Sequence, residues 1–118
     1  MFKKSMVLGL LALCCTVSFA ADADFTLVNR TGYALNEVYI SPTKMDNWGS
    51  DRLGRNQLAN GAARKFRFGD TKHCEQDIKV VFADDSSEIE WEGLNLCELD
   101  KITLKYNRKT REVSAETE

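Results

Sequence analysis

Apolar residues in this chain recur at every second position, and no segment sustains a helical period over three turns. That alternation is the signature of half-buried strands. It runs through Phe25–Asn29, Tyr33–Ile40, Arg64–Phe68, Cys74–Phe82, Glu88–Glu92 and Ile102–Tyr106. Turn residues punctuate it: Arg30-Thr31-Gly32, Pro42, Gly69-Asp70 and Asp84-Asp85-Ser86-Ser87. About six short strands at this spacing predict an all-β fold, a small antiparallel β-sandwich or barrel. The parity slips twice. Tyr33/Leu35 gives way to Val38/Ile40 near Asn36-Glu37, which calls for a bulge or for burial on both sides. Gly93 resets the phase so that Leu94 and Leu96 point inward. Trp91 and Ile89 share the core face, with Glu88, Glu90 and Glu92 opposite. Ser114 to Glu118 offers no apolar anchor, so the tail from about 110 to 118 is expected to fray.

The first twenty residues read differently. Lys3 and Lys4 precede an apolar run from Met6 to Val17, and Ser18-Phe19-Ala20 places small residues at −3 and −1 of a cleavage site. Residues 1–20 are therefore expected to be a secretory signal peptide, with Ala21-Asp22-Ala23 as an alternative site. The run falls short of the roughly 20 apolar residues a bilayer span takes. Leu13 and Cys14, which precede Cys14 and Cys15, are not the small residue that a lipoprotein signal places there. Cleavage leaves one domain, residues 21–118, periplasmic or secreted and free of the membrane. Two of the four cysteines go with the leader. Cys74 and Cys97 remain, and in an oxidising compartment they are expected to form a disulfide.

Composition removes several function classes. Lys+Arg is 16 against 18 Asp+Glu, so the basic stripe of a nucleic-acid binder is not expected. A single histidine, His73, leaves little for a zinc site or a histidine-based triad, and Cys74 beside it is committed to the disulfide. Glu88, Glu90 and Glu92 stand in a row on one strand face, whereas glycoside hydrolysis needs two carboxylates across a cleft. They read as a solvated face that discourages edge pairing. Arg64, Lys65 and Arg67 balance them. No catalytic residue, cofactor or metal is assigned.

One stretch breaks the strand pattern. Ser41 to Gln57 is a loop longer than packing alone requires, and such loops often carry function. Short helical turns are expected around Asp46–Trp48 or Asp51–Leu53. Asp46, Asn47, Ser50 and Asp51 are oxygen-bearing and can wrap a hard cation, but the spacing is not that of an EF-hand; Asx turns and caps account for them. Trp48 reads as a plug that pins the loop to the sandwich with Leu53 and Leu58, the alternative being an exposed platform for a sugar or a partner's aromatic ring. The candidate binding loop is thus Asp46, Asn47, Trp48, Ser50, Asp51 and Arg52, with the polar members presenting the surface.

The strings N-R-T-G-Y (Asn29–Tyr33), E-V-Y-I-S-P (Glu37–Pro42), W-G-S-D-R-L-G (Trp48–Gly54), C-E-Q-D-I-K-V-V-F (Cys74–Phe82) and W-E-G-L-N-L-C (Trp91–Cys97) resemble a family of small exported proteobacterial proteins with no assigned activity. The resemblance spans nearly the whole chain after the leader and implies location and fold. Some members carry the label argininosuccinate lyase. That enzyme's G-S-S-x-M-P-x-K-x-N loop does not occur here, and a chain this short cannot build a large helical tetramer's shared site.

Three functional expectations follow, in this order. The first is a non-enzymatic binding or interaction module of the bacterial envelope, whose partner is an envelope protein or a glycan. The second is a periplasmic inhibitor of a hydrolase such as lysozyme, inserting the long loop into a cleft. A small hydrolase using Asp46 or Asp51, or a calcium-binding module, ranks last, because no nucleophile–base–orienter set is legible. The sequence assigns no oligomeric state.

Overall fold

The computed structural model describes residues 21–68 and 70–118; the leader expected over residues 1–20 lies outside the described residues. Among the described residues nine strands follow one another: β1 (Ala21–Asp22), β2 (Phe25–Arg30), β3 (Leu35–Pro42), β4 (Ala63–Phe66), β5 (Asp70–Thr71), β6 (Glu75–Phe82), β7 (Glu88–Asn95), β8 (Lys101–Asn107) and β9 (Glu112–Thr117). A 3₁₀ turn, Leu96–Glu98, follows β7. One sheet has the order β9-β8-β2-β4 and the other β3-β6-β7, while β1 and β5 form a small ribbon. The two larger sheets pack as a sandwich around one core.

Alternation sets which residues meet there. Phe25 and Leu27 of β2 and Ile102 and Leu104 of β8 face Val38, Ile40, Ile78, Val80, Phe82 and Trp91 of the other sheet, all buried. Each such side chain stabilises by about 1.5–3 kcal/mol when fully buried. Both parity slips are bulges. Leu35 lies opposite Phe82 and Glu37 opposite Val81, so Asn36 is the extra residue. Across β6 and β7, Ile78 meets Trp91 and Gln76 meets Leu94, leaving Glu92 and Gly93 against Asp77 alone. Gly93 takes φ +71, which a residue without Cβ adopts freely.

Two expectations are corrected. The sandwich is not wholly antiparallel: β2 and β8 run parallel, Leu27 beside Ile102. Parallel neighbours need a long crossover, and here the entire second sheet supplies it. The tail does not fray. Glu112–Thr117 pairs with β8 from Glu112–Asn107 to Thr117–Ile102, and Glu118 exchanges both backbone bonds with Lys101 at 3.0 and 3.1 Å. Its anchor is not apolar. The Trp91 indole N–H donates to the Ser114 carbonyl at 2.8 Å, tying β9 to the opposite sheet.

The N-R-T-G turn is held from inside. Buried Asn29 accepts from the Thr31 N–H and hydroxyl through Oδ1 and donates through Nδ2 to the carbonyls of Tyr33 and Leu58. At the same end Arg108 lies 3.5 Å over the Tyr33 ring and grips Asp84 with two bonds of 2.9 and 3.1 Å. Cys74 and Cys97 form the expected disulfide, joining the residue before β6 to the 3₁₀ turn after β7. It clamps the open end of the β6–β7 hairpin, where the Leu96 N–H also donates to the Cys74 carbonyl at 2.9 Å.

Candidate functional site

β3 continues through Ser41 and ends at Pro42, so the long loop is 43–57. No helix forms in it. Its local order comes from turns instead, with the Met45 N–H on the Pro42 carbonyl and the Asn56 N–H on the Leu53 carbonyl. Lys44 and Asp46 take left-handed φ of 66 and 49, and Gly49 takes 68. The chain therefore doubles back over the outer face of the β3-β6-β7 sheet within a few residues.

Two carboxylates hold the loop, and only one lies within it. Asp77, on β6, is 4 % exposed. Its oxygens accept from the Thr43 hydroxyl (2.9 Å), the Lys44 N–H (3.2 Å) and the Gly93 N–H (2.9 Å). One side chain thereby fixes the start of the loop and the β7 bulge. Sequence reasoning missed it, because a single Asp among apolar strand residues looks like an outward position. The signal was the coincidence of Asp77 with Gly93, the residue that resets the facing strand.

Asp51 holds the far end. Its Oδ1 accepts from the N–H groups of Val38 and Leu53, both at 2.9 Å, while the Arg52 N–H donates to the Val38 carbonyl at 2.7 Å. The loop thus satisfies the free edge of β3. Leu53 and Leu58 are buried in the core, as anchors. Arg64 donates to the Leu53 carbonyl at 3.1 Å, and the Arg52 guanidinium stacks 4.8 Å from the Phe68 ring, where burial lowers its pKa. Asp51 is therefore a fastening through its side chain, whereas Arg52 is held by its backbone N–H and keeps its side chain exposed. Asp46, Asn47 and Ser50 are exposed; only the Asn47 backbone is engaged, donating to Ser41 Oγ at 2.8 Å.

Trp48 is not a plug in the sandwich. It lies half-buried on the outer sheet face, its ring 4.9 Å from the Lys79 ammonium, which sits 5.1 Å from the Tyr39 ring on its other contact. Lys79 is placed between Tyr39 on β3 and Glu90 on β7 by the ladder register. Carboxylates crowd the rest of this face. The Tyr39 hydroxyl donates to Glu37 at 2.6 Å, and that bond, with burial and the neighbouring charges of Glu37, Asp51 and Glu88, pushes its pKa up to about 12. Burial and the charges of Glu92 and Asp46 raise the Glu90 pKa, against the lowering effect of Lys79. Beside the loop's first turn, a hollow of about 420 Å³ opens among Pro42, Thr43, Lys44, Met45, His73 and Glu75. Met45 is 55 % exposed there.

Chemically the arrangement offers Trp48 and Met45 on a fixed loop, set against Tyr39 and the carboxylates of β3 and β7 on the sheet face beneath. Among the described residues no three His, Cys, Asp or Glu side chains converge for a metal ion, and Asp46 and Asp51 do not face one oxygen cage. No helix among them is long and apolar enough to cross a membrane. Comparison with protein-family models, curated proteins and solved structures returned no match.

Proposed function

We propose that this chain is a non-enzymatic interaction module of the bacterial envelope, which holds a protein or glycan partner on the acidic sheet face under residues 43–50. The observation that carries the reading is the position of Trp48. A large aromatic ring is kept half-exposed over Lys79 on the outer sheet face, where packing the sandwich does not require it. The carboxylates around it favour a partner with cationic groups, since complementary charge steers association and sets specificity. The leader-like residues 1–20, the disulfide and the family resemblance support an extracytoplasmic location.

The test is capture from a periplasmic fraction by the immobilised protein, run beside a panel of soluble envelope glycans. Trp48→Ala is expected to abolish capture while lowering stability by about 1 kcal/mol, the scale of a partly exposed cation–π contact, not the ~3–5 kcal/mol of a buried aromatic. Undiminished capture by that variant sinks the proposal.

Inhibition of a hydrolase is a second reading, favoured by the fastening of the loop at both ends through Asp77 and Asp51. A loop fixed before it meets its target loses little conformational freedom on binding. Stoichiometric inhibition of lysozyme, lost in Trp48→Ala, would select it over the general module.

A further inference from the structure

Charge differs between the two free edges of the sandwich, although Glu116 and Glu118 already pair with Lys105 and Lys101 of the neighbouring β8. The Trp91–Ser114 bond shows that the free edges of β7 and β9 share one side. Those strands carry Glu88, Glu90, Glu92, Glu112 and Glu116, with Glu118 following, and neither contains a lysine or arginine. The opposite side is formed by β4 and the loop bound to β3, as the Arg64–Leu53 bond shows. The segment 52–67 carries Arg52, Arg55, Arg64, Lys65 and Arg67 and no acidic residue.

Among the described residues both edges of the four-stranded sheet are open. No described strand pairs with the outer side of β9 or of β4. The ladder phase fixes which groups are free. Lys101 and Glu118 exchange both backbone bonds, so Ala115 and Thr117 turn their N–H and C=O away from β8. On the other edge Asn29 N–H reaches the Ala62 carbonyl, so Ala63 and Lys65 turn theirs away from β2. β9 and β4 run in the same direction, because β8 and β2 are parallel and each has an antiparallel outer neighbour.

We infer that copies of this chain associate side by side, β9 of one adding in parallel to β4 of the next. Ala115 then bonds to the free groups of Ala63 and Lys65 of the second copy and stands beside its Arg64. This phase keeps the core-facing side of both sheets continuous. It brings Glu116 next to Lys65 and Glu118 next to Arg67 on the outer face. Pairing of two β9 edges instead opposes glutamate to glutamate and is disfavoured. The contact is head-to-tail, so it extends to an open row rather than closing as a dimer.

The test needs no ligand: light scattering and analytical ultracentrifugation of the protein from an exporting host, across concentration and salt. Weight-average mass is expected to rise with concentration at low salt and to fall toward the monomer at roughly 0.5 M salt, where surface charges are screened. Lys65→Glu and Glu116→Lys are each expected to weaken association by about tenfold, and the double variant to restore it. Thermal melts confirm that each variant folds. Should Glu116→Lys misfold through loss of its 2.6 Å contact with Lys105, carbodiimide coupling of mixed light and heavy-isotope wild-type protein carries the decision. An inter-copy Lys65–Glu116 link supports the inference. A monomer at every concentration, or an unchanged mass in Lys65→Glu, overturns it.

Discussion

Asp77 shows how much one residue can organise. Its three bonds reach two loop residues and a bulge glycine, and its carboxylate is buried. Asp77→Ala leaves those donors without an acceptor and is expected to cost about 3 kcal/mol, read by chemical denaturation. The same variant should loosen residues 43–49 to amide exchange while the β2–β8 ladder stays protected. Tyr39 supplies a second residue-scale prediction. Its hydroxyl is held protonated by Glu37, so ultraviolet titration should find one tyrosine ionising near pH 12 rather than 10. A raised folded-state pKa gives stability that is complete below pH 10 and lost as pH climbs through 12. Glu37→Gln removes the charge and should bring that tyrosine back toward 10. The Asx turn of Asp51 onto Leu53 was legible in the sequence, but its bond to Val38 and the role of Asp77 were not, because a carboxylate that caps a distant backbone N–H differs from a solvated one only in what surrounds it.

At the scale of elements, legibility followed the physics of side-chain packing. Wherever a strand buries one face against the core, period two was visible, and so were its interruptions: a bulge was one of two readings near Asn36, and Gly93 read as a phase reset, where the structure places bulges at both. β9 was invisible for the opposite reason. Its sequence EVSAET has only Val113, 41 % exposed, and Ala115 to bury, so its place rests on ladder bonds to β8 and on the Trp91 indole. Removing residues 112–118 is therefore expected to destabilise the protein markedly in a thermal melt, where loss of a frayed tail would leave the melt unchanged. The direction of β2 beside β8 was equally hidden, since alternation reads the same in parallel and antiparallel strands. The disulfide closes a separation of 23 residues around the β6–β7 hairpin. Serine at both Cys74 and Cys97 is expected to cost about 3 kcal/mol by the loop-closure argument, measured against wild type in denaturant.

At the scale of the molecule, the parallel β2–β8 pair joins the beginning of the domain to its end, with the second sheet laid down between them. Such distant pairing slows folding relative to a meander, whereas the β3-β6-β7 sheet includes the local β6–β7 hairpin that the disulfide secures. The sandwich thereby separates two tasks, a core closed by long-range strands and a loop fastened to one outer face. The two tryptophans of the chain fall on opposite sides of that division: Trp91 is 3 % exposed and bonded across the sheets, while Trp48 lies on the loop face. The protein consequently carries two native fluorophores with separate duties. A water-soluble quencher should dim Trp48 and spare Trp91. A partner seated on the loop should shield the first without altering the second, and only unfolding should shift the emission of both.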